Sequence, residues 1–317
     1  MTMELNYGIL STSSIAPRFI AGIREAKAGN IVAVSSRSLQ KAQEKAELWQ
    51  IPKAYGSHEA LLNDPDVNIV YISTINAQHY FWAKAAIEQG KHVICEKPCT
   101  VMENQTRELF ELAQRKGVFL MEAQKMLFLP AIVQVRRRIE AGDLGKIHMA
   151  QITNSFAPGY NTWQFDKEAG GGTLLSAGIY GVQLMLWLFG DISDISGAKS
   201  ARPGEGENQF SLSGVCGDGI VFTVQNSTCV TLDNTARIYG SKGYVEIPEF
   251  WKARKAVFYI EGKEPETVEY PCEYELAYEA EHIQHCIQNG LLTSPVVTKE
   301  LSVAGIAAMD RIRENWK

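Results

Sequence analysis

The sequence predicts two domains. The first is an α/β doubly wound parallel sheet. The second is α+β, built on an open, mostly antiparallel sheet with helices on one face. Three observations lead there. Through residue 122, short apolar strands alternate with helical segments of ten or more residues, which implies a parallel sheet covered on both faces. Beyond Glu122, strand-like runs are separated by glycine turns such as Gly217-Asp218-Gly219 and Gly240-Ser241-Lys242-Gly243. The chain has 317 residues, enough for two cores. The boundary is placed between residues 1–122 and 123–317.

In the first part, Leu5–Leu10 reads as a buried strand and Pro17–Ala28 as a helix. Ile31–Ser35 is a second strand, and Ser38 is placed to N-cap a helix over Lys41–Trp49. Ser57 caps the next helix, which stops before Asp64-Pro65. Ile69–Ile72, Val93–Cys95 and Phe119–Met121 are further strands, with a helix over His79–Glu88 between the first two. Thr100 and Glu103 have capping-box spacing for a helix reaching Gln114. In the second part a helix over Pro130–Glu140 precedes strands at Ile147–Phe156, Gln209–Val215, Ile220–Asn226, Thr235–Tyr239, Tyr244–Ile247, Val257–Ile260 and Thr267–Tyr270. One helix, Thr173–Phe189, interrupts them, and two more, Tyr278–Gln288 and Lys299–Asn315, close the chain.

The chain is 45% hydrophobic with a net charge of −5, which argues against nucleic acid or an anionic membrane as a main partner. Six cysteines form no C-x-x-C pair, so neither a zinc site nor a secreted disulfide framework is expected. No apolar run approaches the roughly 20 residues of a membrane span, and the N-terminus lacks the pattern of a signal peptide. A reduced, cytoplasmic protein is expected.

The most informative segment is Ile94-Cys95-Glu96-Lys97-Pro98. A strand ends there in an acid, a lysine and a proline, at the edge where open α/β sheets bind ligands. The turn after the first strand, Ser11-Thr12-Ser13-Ser14-Ile15-Ala16, lies where the dinucleotide fingerprint G-x-G-x-x-G/A belongs, with serines in place of the two leading glycines. Serine still presents backbone N–H groups at a helix N-terminus, and its hydroxyl can donate to phosphate. An ordinary strand-to-helix turn has the same signature. Ser36 lies 20 residues past Ala16 and is followed by Arg37, with no acid nearby. An arginine here suits the 2′-phosphate of NADP, so NADP(H) is expected ahead of NAD(H), although a solvated loop arginine reads the same way. Thr74, Asn76 and His79 follow the third strand and face the same edge; His79 serves equally well as a first-turn helix residue.

Gly170-Gly171-Gly172 allows a tight entry into the helix carrying Ser176 and Tyr180, which share a face four residues apart. A tyrosine of ordinary pKa, about 10, is a poor acid or base at neutral pH, and a nearby ammonium corrects this by favouring the phenolate. Lys97 and Tyr180 thus form a candidate acid/base pair. Glu279, His282, His285 and Cys286 read as an amphipathic surface helix rather than a metal site, and Arg136-Arg137-Arg138 as the polar face of another.

Together the turn after strand one, Glu96-Lys97-Pro98, Met121-Glu122-Ala123 and the Gly170–Tyr180 helix resemble the glucose–fructose oxidoreductase/inositol dehydrogenase (Gfo/Idh/MocA) family over the whole chain. Ile51-Pro52-Lys53-Ala54-Tyr55-Gly56-Ser57 and Gly178-Ile179-Tyr180 are similar to its subgroup of dimeric dihydrodiol dehydrogenases and NADP-dependent xylose dehydrogenases. The resemblance implies NAD(P)-dependent hydride transfer on a sugar-, polyol- or diol-like alcohol or carbonyl, and a homodimer through the C-terminal sheet. By position it makes Lys97 and Tyr180 catalytic, with Ser176 beside them at the substrate. It assigns Ser11–Ala16 to the pyrophosphate and Ser36 and Arg37 to the adenosine ribose; Thr74, Asn76, His79, Glu96 and Lys97, at the same edge, are further cofactor-binding candidates. Three positions depart from the pattern: Ser176 for an aspartate, Leu127 for an arginine and Ser13 for a glycine. The first two motivate a second reading, a cofactor-binding sensor that kept the fold and lost turnover. A sugar epimerase is a third; Leu184 stands where its Y-x-x-x-K lysine would fall after Tyr180.

Overall fold

The computed structural model describes residues 4–156 and 162–316. It divides into two compact units, and the first is discontinuous, comprising Met1–Gln124 and Tyr274–Ser302. Its elements are β1 (Asn6–Leu10), α1 (Ala16–Ala26), β2 (Asn30–Ser35), α2 (Leu39–Trp49), β3 (Lys53–Tyr55), α3 (His58–Leu62), β4 (Ile69–Ile72), α4 (His79–Glu88), β5 (His92–Glu96), α5 (Glu103–Lys116) and β6 (Leu120–Ala123). The second unit contains α6 (Pro130–Glu140), β7 (Ile147–Ser155), α7 (Ile179–Phe189), β8 (Ile192–Ala201), β9 (Glu207–Cys216), β10 (Ile220–Ser227), β11 (Thr235–Gly240), β12 (Gly243–Pro248), β13 (Lys255–Ile260) and β14 (Glu266–Glu269). The chain then returns to the first unit with α8 (Ala277–Gln288), and α9 (Lys299–Asn315) begins there before crossing to the second.

In the first unit six strands pair in parallel in the order β3-β2-β1-β4-β5-β6. That order reverses direction between β1 and β4, and such a switch point opens the crevice in which doubly wound sheets hold ligands. Leu10, Val70, Ile72, Val93, Cys95 and Leu120 pack against Trp82, Ala86, Leu109 and Phe110 of α4 and α5. On the other face Phe19 of α1 stacks on Tyr71 at 3.7 Å between ring centroids.

The single boundary drawn at 122/123 left residues 274–302 in the second domain; their contacts lie with the first. Gly22 lets α1 approach closely, since a Cβ there would lie 2.8 Å from the Leu276 carbonyl carbon. Arg18 pairs with Glu275, and Leu120 N–H donates to Leu292 O at 3.1 Å.

Local signals explain most element ends. The hydroxyls of Ser38 and Ser57 accept from Lys41 N–H and Ala60 N–H, the two N-caps expected. The capping box at Thr100 does not form. Met102 occupies the N-cap of α5 without a side-chain bond, because the Thr100 hydroxyl is engaged with Met102 O and the Thr106 hydroxyl.

The second unit holds an eight-stranded sheet in the order β14-β13-β12-β11-β7-β10-β9-β8, antiparallel except for the β7–β10 pair. Side chains alternate: Ala150, Ile152, Phe222, Val224, Ile238, Val245 and Phe258 are buried, while Met149, Gln151, Val221, Tyr239, Tyr244 and Tyr259 lie on the opposite face. Gly181 lets α7 settle on the buried face, since a Cβ there would meet Val224 at 2.8 Å. The helix expected over Thr173–Phe189 begins as a π-turn, Leu174–Gly178, before α7. The arginine run is engaged within this unit. Arg136 pairs with Glu140 and lies over Trp187, and Arg138 pairs with Asp143 and Glu266 over Phe258.

Candidate active site

The polar residues of the first unit gather at the carboxyl ends of β1, β4 and β5. Ser11 leaves β1 with φ +93°, a backbone conformation that favours glycine, so serine holds the glycine geometry of the fingerprint turn. Its N–H donates to Ser35 O at 3.2 Å, tying the turn to the end of β2. Ser13 Oγ donates across the switch point to Ser73 Oγ at 2.7 Å. Ser11, Thr12 and Ser13 are half-buried and Ser14 is exposed, while Ala16 is buried at the start of α1. Ser36 is buried at the end of β2, and Arg37 beside it is exposed. A polar turn at a helix N-terminus, tied to the end of β2 beside an exposed arginine, fits a dinucleotide with its pyrophosphate at the turn.

His79 is 1% exposed, with Nδ1 2.8 Å from Pro98 O and Nε2 3.2 Å from Thr74 O. It thus joins the segment after β4 to the segment after β5. Burial lowers its pKa, the two carbonyl contacts oppose that, and the Lys97 charge lowers it further. Asn76 is buried in the short turn between them.

Lys97 follows β5 directly, is half-buried, and forms a cis peptide bond with Pro98. Glu96 accepts from Tyr71 OH at 2.5 Å. Burial pushes the Lys97 pKa down, while the Glu96 and Glu122 carboxylates push it up. The strand register explains why two acids act on one ammonium. Cys95 pairs with Glu122, so Glu122 shares a sheet face with Cys95, and Glu96, one residue on, lies on the other.

Tyr180 and Ser176 belong to the second unit. Tyr180 is 7% exposed on α7. Ser176 Oγ donates to Gly172 O at 2.6 Å, so the side chain that replaces an aspartate is bonded into its own helix entry. Glu207 of β9 accepts from Leu174 N–H at 2.8 Å and caps that entry, a role with no local signal in sequence. Leu127 is fully buried, and Lys125, two residues earlier, is 6% exposed. The Glu279 helix is a surface helix on one side only. His285 is exposed, but Glu279 is fully buried; burial first, and then the Glu279 charge, raise the pKa of the Tyr7 phenol. His282 Nε2 lies 2.7 Å from Ser294 Oγ, and among the described residues no group of three His, Cys, Asp or Glu side chains could hold a metal ion. Also missed from sequence were Tyr71, Ser73 and Glu122, whose partners are distant in the chain.

The strand order and the polar crevice at its switch point define a Rossmann-type dinucleotide-binding architecture joined to an open-sheet unit. Residues 5–124 match the family model for the oxidoreductase family, NAD-binding Rossmann fold, and residues 132–246 match the GFO/IDH/MocA C-terminal domain. A trans-1,2-dihydrobenzene-1,2-diol dehydrogenase of Mus musculus is 33% identical over 308 residues, covering 93% of this chain and 92% of the mouse protein. Its namesake in Xenopus laevis is 32% identical, covering 98% of each chain. Among solved structures, levoglucosan dehydrogenase in complex with NADH and levoglucosan aligns with a TM-score of 0.90 at 19% identity, covering 99% of this chain and 97% of that one. A 3-ketoreductase from Actinomadura kijaniata in complex with NADP and TDP-benzene aligns at 0.89 and 21%, covering 99% and 98%. These two share the fold. The chain belongs to the Gfo/Idh/MocA family and is an NAD(P)-dependent oxidoreductase. No helix among the described residues is long and apolar enough to cross a membrane.

Proposed function

We propose that this protein transfers hydride between NADP(H) and a carbon bearing a hydroxyl or carbonyl in a sugar-, polyol- or diol-like substrate. The observation that carries this reading is Lys97, an ammonium at the carboxyl edge of the sheet beside the dinucleotide crevice. When bound, the nicotinamide supplies or accepts the hydride. Ser11–Ala16 would hold the pyrophosphate and Ser36 with Arg37 the adenosine ribose. Thr74, Asn76 and His79 would shape the nicotinamide side with Glu96. Tyr180 exchanges the proton of the substrate oxygen, with Ser176 at the substrate, and Lys97 favours the phenolate and orients that oxygen. The first unit serves as the nucleotide-binding body, and the second as the substrate-binding and dimerisation body, in a reduced cytoplasmic setting.

Hydride transfer measured with NADPH and NADH across a panel of diols, aldoses, polyols and their carbonyl forms tests the reaction. Thermal shifts with NADP+ and NAD+ test the cofactor. The expected result is turnover with a diol or sugar and a larger shift with NADP+ that Arg37→Ala removes. A larger shift with NAD+ would reject the role of Arg37. Nucleotide binding without turnover on the whole panel would favour the sensor reading.

The homodimer reading is supported by the open sheet face. Met149 and Val221 are each 43% exposed there, and Tyr239, Tyr244 and Tyr259 form an aromatic row with Tyr244 and Tyr259 stacked at 4.5 Å. Such a face suits a second copy of itself, since self-complementary patches build two-fold dimers. Light scattering should give twice the chain mass, and Tyr244→Arg should halve it. A monomeric parent protein would sink the proposal.

A further inference from the structure

We infer that Glu122 is a positioning residue for Lys97, holding the loop that carries the lysine and setting a fixed negative charge beneath it; this deepens, and rests on, the hydride-transfer reading above. Glu122 is fully buried at the third position of β6. Oε1 accepts from Cys99 N–H at 2.9 Å and Oε2 from Ser302 Oγ at 2.7 Å. The Cys99 N–H and the Pro98 carbonyl belong to one peptide group. Glu122 holds its N–H end, and His79 Nδ1 holds its C=O end at 2.8 Å. A peptide group gripped at both ends cannot rotate without losing a buried hydrogen bond, so the Pro98–Cys99 segment that follows Lys97 is held in one orientation. Ser302, from the first turn of α9, fixes the carboxylate in turn.

The second element is charge. A fully buried carboxylate costs several kcal/mol of desolvation unless bonds and opposite charge offset it. Glu122 has two donors and the Lys97 ammonium for this purpose. Titratable groups of this unit that bear on Lys97 and Glu122 include Glu96, His79, Cys95 and Cys99. Of these, Glu96 lies on the opposite face with its own partner, Tyr71. The Cys95 thiol is pushed well up by burial, the Cys99 contact and both acids. Glu122 is thus the one anion on the Cys95 face of the sheet within this group.

The test is competitive acetylation of Lys97 with acetic anhydride between pH 7 and 11, read by mass spectrometry, in wild type and Glu122→Gln, alongside kcat and NADPH affinity. Gln can still accept from Cys99 N–H and reach Ser302, so chiefly the charge is lost. The Lys97 midpoint is expected to fall by about one pH unit and kcat by about 10-fold or more, with NADPH affinity retained. Wild-type values for both midpoint and kcat would overturn the proposal. A lowered midpoint with unchanged kcat would support the hold of Glu122 on Lys97 and instead remove Lys97 from the chemistry. If the glutamine variant shows no cooperative thermal transition, Glu122→Asp is read the same way. Its carboxylate is drawn back by one methylene and should lower midpoint and kcat by less; wild-type values there overturn the proposal.

Discussion

Lys97→Met is expected to lower kcat and kcat/KM together by about 10²–10³-fold while leaving NADPH binding within a few-fold of wild type. Methionine keeps the length and apolar stem of the side chain and removes the ammonium. The nucleotide contacts proposed for Ser11–Ala16, Ser36 and Arg37 lie on other loops, so binding should persist. On the proposed mechanism the chemistry should not, because the ammonium assigned to favouring the phenolate is then removed. The charges of Glu96 and Glu122, which lie on opposite faces of the sheet, both favour an ammonium at Lys97, and Tyr71 holds Glu96. Burial pulls against those acids and lowers the Lys97 pKa. If Lys97 acts as proposed, wild-type activity is expected to fade on the alkaline side at a lower pH than an ordinary lysine would dictate. Steady-state kinetics on whichever substrate the panel identifies, with a thermal shift for NADPH, provide the check. Undiminished turnover would remove Lys97 from the mechanism.

The second large effect concerns Gly172. Gly172→Ala is expected to destabilise the protein by about 2–4 kcal/mol, the sum of backbone strain and a lost buried hydrogen bond. Gly172 has φ +110°, which L side chains rarely adopt, and an added Cβ would press into the Glu207 carboxylate. Glu207 would then release Leu174 N–H at the start of the helix carrying Ser176 and Tyr180. Gly219→Ala is the matched control: φ there is +86°, and a new Cβ meets nothing within 4 Å. It should cost only the conformational term, about 1 kcal/mol. Urea denaturation of both variants isolates the displacement of Glu207. Equal losses would reject Glu207 as the cap.

Much of this architecture was legible because its causes are local. Ser38 and Ser57 cap the helices that their spacing predicts, and the strand run ending at Glu96-Lys97-Pro98 sits where the alternation of strands and helices places it. What escaped has causes far away in the chain. β8 is an edge strand with most residues exposed, so it lacks the apolar alternation that marks a strand. β3 has three residues, too few for a period. Thr100 has the right spacing for a cap, but the Thr106 hydroxyl competes for it. Glu279 occupies a helix position that spacing alone reads as polar surface, and α8 docks there against the first unit. Motif and position alone single out Lys97, Tyr180 and the serine turn as candidates, and the structure places Lys97 directly after β5, Tyr180 on α7 and the serine turn after β1. Glu122 and Glu207 were not legible in this way, since each acts through backbone N–H groups 23 and 33 residues away.

The discontinuity of the first unit sets an order of events during synthesis. A ribosome that has released all six parallel strands has still not supplied the Leu276 segment that seats against Gly22, the Leu292 carbonyl that receives Leu120 N–H, or the Ser302 hydroxyl that fixes Glu122. The nucleotide-binding half therefore waits, incomplete, while the whole eight-stranded sheet is translated between its two pieces. Its last parts, residues 274–302, come after that sheet, so a chain cut short before residue 302 leaves its earliest-made domain unfinished.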